Sequence, residues 1–275
     1  MRPIGIFDSG IGGLTIARAI AERFPDTSSV YFGDTAHLPY GEKSAELIQR
    51  YSTRIARELV RMDCGVVVVA CNSASSNALT QVVEAVGPGI PVIDVVNPVV
   101  EAVAKQFPRG RIGIIGTRAT IDSNWYQKRL TERGCEVKAK ATPLLASAIE
   151  EGFHEGTVSS ALVEAYLGDG FFDDTDALIL GCTHYPLIAD QIRQTLPDHV
   201  QIIDSAGAVA AHLEKVMSAS NFQRSAQGLS DQEVNSEIME ISRQFLVSDL
   251  TASFALGAER FFGAPVHLVE RKLSV

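Results

Sequence analysis

Hydrophobic and polar positions alternate regularly along the chain. Short aliphatic runs, such as "PIGIF" and "GVVVVA", are each followed by a longer stretch with helical periodicity. In the first such stretch, apolar residues recur at helical spacing at Leu14, Ala17, Ala21 and Phe24, which predicts an amphipathic helix. Strands that are apolar throughout are typical of parallel sheets covered on both faces. The pattern therefore predicts an α/β fold built from strand–helix–strand units.

The same pattern restarts near the middle of the chain. From residue 111, "RIGIIGTRATIDSNWYQKRL" repeats the order of apolar and polar residues in "PIGIFDSGIGGLTIARAI". An apolar strand ending in cysteine also occurs once in each half. We expect two similar α/β domains with mainly parallel sheets, each of about 100 residues, facing one another.

The C-terminal part of the chain has a different character. Residues 218–241 are polar and weakly patterned, which indicates an exposed helix or a connecting loop. Beyond them, "RQFLVSDLTASFALGAERFFGAPVHLVERKL" predicts a strand, a helix and a strand. These two strands must pair with an existing sheet. If they pair with the sheet of the first domain, that domain is built from two separate stretches of the chain.

Composition and charge narrow the class of protein. The 275 residues are 46% apolar and 21% charged, which suits a soluble globular protein. A net charge of −9 does not indicate a generally basic surface for nucleic acid or anionic lipid. The four cysteines do not form the framework of a small disulfide protein, so we expect reduced thiols. Without a signal segment or a membrane-length apolar run, we expect a cytoplasmic protein.

Two cysteines occupy matching positions at the ends of predicted strands. Cys71 follows "GVVVVA" and Cys182 follows "ALILG", and a helical pattern begins after each. Parallel α/β sheets bind ligands at the carboxyl ends of their strands. A helix N-terminus stabilises a thiolate, and Asn72 or Ser73 in one case and Thr183 in the other are suitable capping residues. We therefore interpret the two cysteines as a paired site.

Other interpretations of the cysteines remain open at this point. A buried cysteine often packs as a small apolar residue, and we expect this of Cys64 and Cys135, which lack the strand-end context. Cys71, Cys182 and His184 could ligate zinc, although no second clustered pair completes a closed site. A redox disulfide between Cys71 and Cys182 is a further alternative, but the chain has no Cys-x-x-Cys motif.

Polar residues near other strand ends are further candidates. Asp8 and Ser9 follow the first strand in "FDSGIGG", which matches neither the dinucleotide-binding nor the phosphate-binding glycine motif. Asp8 is either a helix cap or a group that binds an ammonium or orients a proton-transfer partner. His184 can polarise the neighbouring thiol of Cys182. In "YFGDTAHLPYG", Tyr40 can donate a hydrogen bond to a ligand carboxylate, unless the segment is a plain turn.

Two opposed thiols suit one particular reaction. One thiolate can remove a proton from a carbon while the other thiol delivers a proton to the opposite face, which inverts the configuration of an α-carbon. One group must begin as thiolate and the other as thiol, so the pair is expected to titrate as a coupled unit. Because these acid/base groups are already encoded, we expect neither a metal nor an organic cofactor to be required.

Five motifs, in this order, resemble those of the glutamate racemase family. They are "GIFDSGIGGLT", "YFGDTAHLPYGEKS", "VVVVACNSAS", "GTRATIDSNWY" and "LILGCTHYPLI". The resemblance implies a cofactor-independent isomerase of the aspartate/glutamate racemase family that supplies D-glutamate for peptidoglycan. It implies an active site in the cleft between two α/β domains, formed by residues 1–97 plus 208–275 and by residues 98–207. The expected partner is a small-molecule substrate, with neither nucleic acid nor membrane, and a homodimer is one option.

The resemblance also implies roles for particular residues. Cys71 and Cys182 would be the two acid/base groups, assisted by Asp8 and His184, with Glu150 supporting His184. Substrate contacts would come from Asp8, Ser9, Tyr40, Gly41, Asn72, Ser73, Thr183 and His184. The family usually has threonine at the position of Ser73. It assigns D-glutamate to Cys71 and L-glutamate to Cys182.

Two other functions compete with this interpretation. Racemisation of aspartate or of another acidic amino acid would suit the same superfamily, and comparing substrates separates the alternatives. Two facing α/β lobes could also close on a small acid without catalysis. A noncatalytic module leaves the paired cysteines unexplained, and deuterium uptake at the ligand's α-carbon distinguishes it from an enzyme.

Overall fold

Ten strands and eleven α-helices make up the part of the chain that the structure, a computed structural model, describes, namely residues 2–219 and 242–273. The strands are β1 (Ile4–Asp8), β2 (Ser29–Gly33), β3 (Val66–Val69), β4 (Val92–Asp94), β5 (Arg111–Gly116), β6 (Glu136–Ala141), β7 (Ala177–Gly181), β8 (Gln201–Ile203), β9 (Arg243–Val247) and β10 (Leu268–Glu270). The helices are α1 (Leu14–Arg23), α2 (Ala45–Arg61), α3 (Asn72–Val86), α4 (Val96–Gln106), α5 (Arg118–Asp122), α6 (Trp125–Thr131), α7 (Pro143–Glu150), α8 (Thr157–Leu167), α9 (Ala189–Thr195), α10 (Ala206–Ala219) and α11 (Ala252–Phe262).

The strands form two parallel sheets. The first has the order β10-β9-β2-β1-β3-β4 and the second the order β6-β5-β7-β8. All strand pairs of the described residues are parallel. The central strands β1, β3 and β7 are buried along their whole length, as expected when helices cover both faces of a sheet. The predicted α/β fold with two mainly parallel sheets is confirmed.

The C-terminal segment completes the first sheet. It contains the predicted strand, helix and strand as β9, α11 and β10, and β9 pairs with β2 so that Ser29 lies opposite Arg243. Of the polar segment 218–241, residues 220–241 lie outside the described residues. The predicted domain crossings at 97 and 208 fall inside α4 and α10, and they stay predictions.

The main apolar core extends across both sheets. One cluster of buried side chains contains Ile6 of β1 and Ile114 of β5, together with Val99 of α4 and Val209 of α10. A second cluster lies where α2 and α3 cover the first sheet. The shared core holds the carboxyl ends of the two sheets in a defined relation. In the described part of the chain, no helix is both long and apolar enough to cross a bilayer.

Candidate active site

The carboxyl ends of the two sheets border one cavity. Its empty space is about 370 Å³, counting the part open to solvent. It is lined by Asp8, Ser9, Pro39, Tyr40, Gly41, Cys71, Asn72, Ser73, Thr117, Ala146, Glu150, Cys182, Thr183 and His184. Every residue given a catalytic or substrate-binding role from the sequence is therefore at this cavity. The roles themselves stay predictions.

Cys71 is held between β3 and α3. It is itself the N-cap of α3, and its Sγ accepts a hydrogen bond from the N–H of Ala74 at 3.5 Å. The expectation that Asn72 or Ser73 caps this helix was wrong, since both lie inside it. The Cys71 thiol also donates to Ser9 Oγ at 3.6 Å. The sulfur thus has two weak polar partners and little contact with solvent.

The environment of Cys71 favours the neutral thiol. Burial raises the pKa of Cys71, and the nearby carboxylate of Asp8 raises it further. The hydrogen bonds from Ala74 and with Ser9 act in the opposite direction but do not outweigh burial. The stabilisation expected from the helix N-terminus is therefore present but too weak to make the thiolate the preferred form.

Asp8 organises the glycine-rich loop that follows β1. Its Oδ2 accepts hydrogen bonds from the N–H groups of Gly10 at 3.1 Å and Gly13 at 3.0 Å. Burial raises the pKa of Asp8, while the charge of His184 and these N–H groups lower it. A Cβ atom on Gly12 would lie 2.3 Å from Cε1 of His184, so only glycine allows this approach. The loop thereby brings the first sheet against a side chain of the second.

Cys182 has a positively charged neighbour, whereas the charged neighbour of Cys71 is the carboxylate of Asp8. Its Sγ lies 3.5 Å from Nδ1 of His184, and the other ring nitrogen, Nε2, lies 2.8 Å from Oε1 of Glu150. Burial alone would lower the pKa of His184, but Cys182 and Glu150 together raise it well above its usual value. The imidazolium therefore donates to both neighbours, and a positive charge lies beside the sulfur of Cys182.

The segment after Cys182 differs from the predicted helix start. A short 3₁₀ turn, Tyr185–Ile188, precedes α9, and His184 occupies its N-cap position without a side-chain capping bond. The expectation that Thr183 caps a helix was therefore wrong. Phe261 of α11 packs edge-on against the His184 ring, with ring centres 5.0 Å apart. The C-terminal segment thus helps to position the histidine.

The hydroxyl proton of Tyr40 is already engaged. Tyr40 donates to Oδ2 of Asp34 at 2.5 Å, whereas the sequence had suggested donation to a ligand carboxylate. The other oxygen of Asp34 accepts from Ser248 at 2.8 Å and lies 2.8 Å from Nδ1 of His37. Burial, together with Asp34, raises the pKa of Tyr40, so its hydroxyl stays protonated. Its oxygen remains able to accept a hydrogen bond from an ammonium group.

Asn72 and Ser73 have distinct surroundings. Asn72 Oδ1 accepts from the hydroxyl of Tyr126 at 2.8 Å, and its amide Nδ2 is buried without a hydrogen-bond partner among the described residues. Ser73 Oγ lies 2.9 Å from Oγ1 of Thr117, which joins the two halves of the cavity. Sequence reasoning missed Thr117, although it directly follows β5 and so shares the strand-end position of the cysteines. Asn72 Nδ2 is a free donor for an anionic ligand group.

The remaining interpretations of the cysteines are addressed by the geometry. All four cysteines are free and buried. Burial raises the pKa of Cys64 to about 12, which fits the structural role expected for it. Over residues 2–219 and 242–273, no group of three or more histidine, cysteine or acidic side chains is arranged to hold a metal ion. The expectation that no metal is required stays a prediction.

Three comparisons connect this geometry to known proteins. The model of the Asp/Glu/hydantoin racemase family matches residues 14–213. A glutamate racemase of Persephonella marina is 40% identical over 272 residues, covering 98% of this chain and 97% of that protein. The glutamate racemase of Aquifex pyrophilus is 44% identical over 210 residues, with coverage of 76% and 81%. The crystal structure of a Francisella tularensis glutamate racemase in complex with D-glutamate superposes with a TM-score of 0.86 at 34% identity, covering 99% and 98% of the two chains.

Proposed function

The chain belongs to the Asp/Glu/hydantoin racemase family and is an amino-acid racemase, and we propose that it interconverts L-glutamate and D-glutamate with Cys71 and Cys182 as its two bases. One observation carries this proposal: a thiol from each parallel sheet borders the same cavity. A single nucleophilic cysteine would need only one of them. The substrate itself is inferred from the relatives, which are named glutamate racemases.

The two thiols begin in different protonation states. In the proposed L-to-D direction, Cys182 starts as a thiolate beside the His184 imidazolium, which donates to its sulfur. The thiolate takes the α-proton, and the electron pair of the broken C–H bond moves into the α-carboxylate. The neutral thiol of Cys71 then protonates the opposite face and becomes the thiolate. Proton exchange with solvent resets the pair.

Neighbouring groups hold the substrate for this transfer. We assign the buried amide of Asn72 to a substrate carboxylate because its Nδ2 has no protein partner in the described part of the chain. Asp8 and the hydroxyl oxygen of Tyr40 are acceptors at the same cavity and suit the α-ammonium group. A bound ammonium near Asp8 also offsets the negative charge that disfavours a Cys71 thiolate, which the D-to-L direction requires.

The wider role follows the family resemblance. We propose that the product serves peptidoglycan synthesis in the cytoplasm. The two-domain division at residues 97 and 208, and a homodimer, remain part of the same proposal.

The decisive experiment uses purified protein, dialysed against a chelator, with no cofactor added. In D₂O, each enantiomer of glutamate and of aspartate is followed by circular dichroism and by NMR at the α-carbon. We expect glutamate to racemise and to gain deuterium. If only aspartate racemised, the substrate would be aspartate and not glutamate. If glutamate bound without gaining deuterium, the protein would be a noncatalytic binding module. Activity that returns only with a metal or pyridoxal phosphate would refute the cofactor-independent mechanism.

A further inference from the structure

A second cavity, separate from the catalytic one, is lined by positive side chains. It encloses about 1060 Å³, again counting the part open to solvent. Its lining consists of His37, Arg50, Tyr51, Thr53, Arg54, Arg57 and Arg61. The four arginines recur along α2 at helical spacing, so they share one face of that helix. Nothing in the proposed racemisation uses them.

Among the described residues, a single carboxylate, that of Glu58, pairs with these arginines. Arg61 contacts Glu58 at 3.4 Å, but Glu58 also accepts from Arg271 at 2.6 Å. Within the described residues, neither Arg50 nor Arg57 forms an ion pair with a carboxylate. No acidic residue lines the cavity, although the chain as a whole carries a net charge of −9. Like charges at this spacing repel one another along a helix, so the cluster has a cost that an anion would remove.

One arginine also has an unused buried donor. The guanidinium of Arg54 donates to the carbonyl oxygen of Leu273, yet its Nε is buried and has no hydrogen-bond partner among the described residues. A buried N–H of a charged group is normally satisfied by an acceptor. Arg54 therefore lines the cavity and keeps one donor that no described residue satisfies.

We propose that this cavity binds an anion carrying a phosphate or diphosphate group. Planar guanidinium groups match phosphate oxygens with paired hydrogen bonds, and several on one wall suit more than one phosphate. The stacked rings of His37 and Tyr51, 4.2 Å apart, add an aromatic wall beside the charges. The free space exceeds what an inorganic ion fills. The phosphate can therefore come from free pyrophosphate or be part of a nucleotide.

The test is direct binding by calorimetry at constant ionic strength, independent of catalysis. The probes are inorganic phosphate, inorganic pyrophosphate and ADP. The variant Arg50→Gln/Arg57→Gln removes two exposed charges that have no carboxylate partner in the described structure. The control, Lys105→Gln/Arg193→Gln, removes the same charge from exposed positions on α4 and α9. We expect pyrophosphate affinity to fall at least about tenfold in the first variant and to remain within about twofold in the control.

The outcomes separate the alternatives. Equal affinity in all three proteins, or no binding at millimolar pyrophosphate, would overturn the proposal. Tighter binding of ADP than of pyrophosphate would support a nucleotide, and equal binding would support the free anion. Light scattering serves as the second measurement. If only the arginine variant loses a dimer, and pyrophosphate does not bind, then the cluster contacts a second copy of the chain and the anion site is refuted.

Discussion

The two cysteine segments follow the same sequence pattern but form chemically different halves of the cavity. Cys71 caps α3, and burial together with the carboxylate of Asp8 raises its pKa. Cys182 lies 3.5 Å from the imidazole of His184, which is bound in turn by Glu150. Similar strand ends therefore provide one site that favours a neutral thiol and one that carries a positive charge beside the sulfur.

This asymmetry shows how a racemase can use two chemically identical side chains. If both sulfurs had the same surroundings, neither would be set to donate while the other accepts. In the proposed mechanism, the single imidazolium beside Cys182 sets the starting state, with Cys182 as the thiolate and Cys71 as the thiol. We propose that the substrate's ammonium group supplies the charge needed for the opposite direction.

The largest effects are expected from replacing either cysteine. Cys71→Ser and Cys182→Ser should each lower racemisation by at least about 10³-fold, because a hydroxyl is a far poorer acid and base than a thiol. The surviving thiol should still remove a proton from the enantiomer that faces it. A glutamate analogue with a leaving group needs only this step. Cys71→Ser should therefore eliminate mainly from the L analogue and Cys182→Ser mainly from the D analogue, as followed by chiral chromatography.

Cys135→Ser is the control, since this cysteine lies outside the cavity, and it should racemise normally. If each cavity variant lost elimination equally on both hands while remaining folded, the assignment of one base to each face would be wrong. A clean reversal of the hands would keep the mechanism and refute only the assignment.

Smaller but still large losses are expected for the residues beside the thiols. His184→Asn and Asp8→Asn should each lower turnover by about 10²-fold to 10⁴-fold. Since enantiomers have equal free energies, kcat/KM must fall equally in both directions of racemisation. The asymmetry should appear in elimination, which His184→Asn should reduce more for the L analogue. Asp8→Asn removes an ammonium contact that both analogues use, so it should reduce elimination from both.

The exposed His199→Asn should behave as wild type. If both cavity variants had unchanged kinetics and circular dichroism showed that they were folded, Asp8 and His184 would have structural and not catalytic roles.

A pH profile tests the charge on His184. The pKa of His184 is raised partly by Glu150, so its positive charge is present below the raised pKa and is lost as pH increases through it. Glu150→Gln removes one cause of the elevation. The alkaline limb of the bell-shaped kcat profile should therefore move to lower pH in the L-to-D direction.

Glu151→Gln, at the neighbouring exposed position, should leave the limb unchanged. A shift to higher pH in Glu150→Gln would contradict the imidazolium assignment.

The smallest effect concerns the contact that joins the two halves. Ser73→Ala removes the hydrogen bond to Thr117 and should lower the free energy of unfolding by about 1 kcal/mol in denaturant titrations. Ser76→Ala, on the same helix, removes a buried hydroxyl without a partner among the described residues and should have little effect. Ser73→Thr keeps the hydroxyl and should retain the contact. If both alanine variants destabilised the protein equally, the hydrogen bond between Ser73 and Thr117 would not be what stabilises the contact between the two halves.

The sequence by itself determined the order of the elements and the set of residues at the strand ends. Apolar runs specify buried strands and helical periodicity specifies the covering helices, because both depend on near neighbours. In a parallel sheet the ends of these strands lie on one edge, so Cys71, Cys182 and Asp8 could be placed at one site. The motif resemblance added Glu150, whose position in the chain gives no local sign of a role.

Only the tertiary structure decided how these groups act on each other. It placed Glu150 against His184, which is 34 positions away along the chain, and engaged the Tyr40 hydroxyl with Asp34. It also made burial outweigh the helix N-terminus at Cys71. Desolvation and Coulomb interaction depend on distances in space and on exclusion of water, which a local pattern does not contain. The two cysteines therefore look alike in the sequence and become different only in the folded protein.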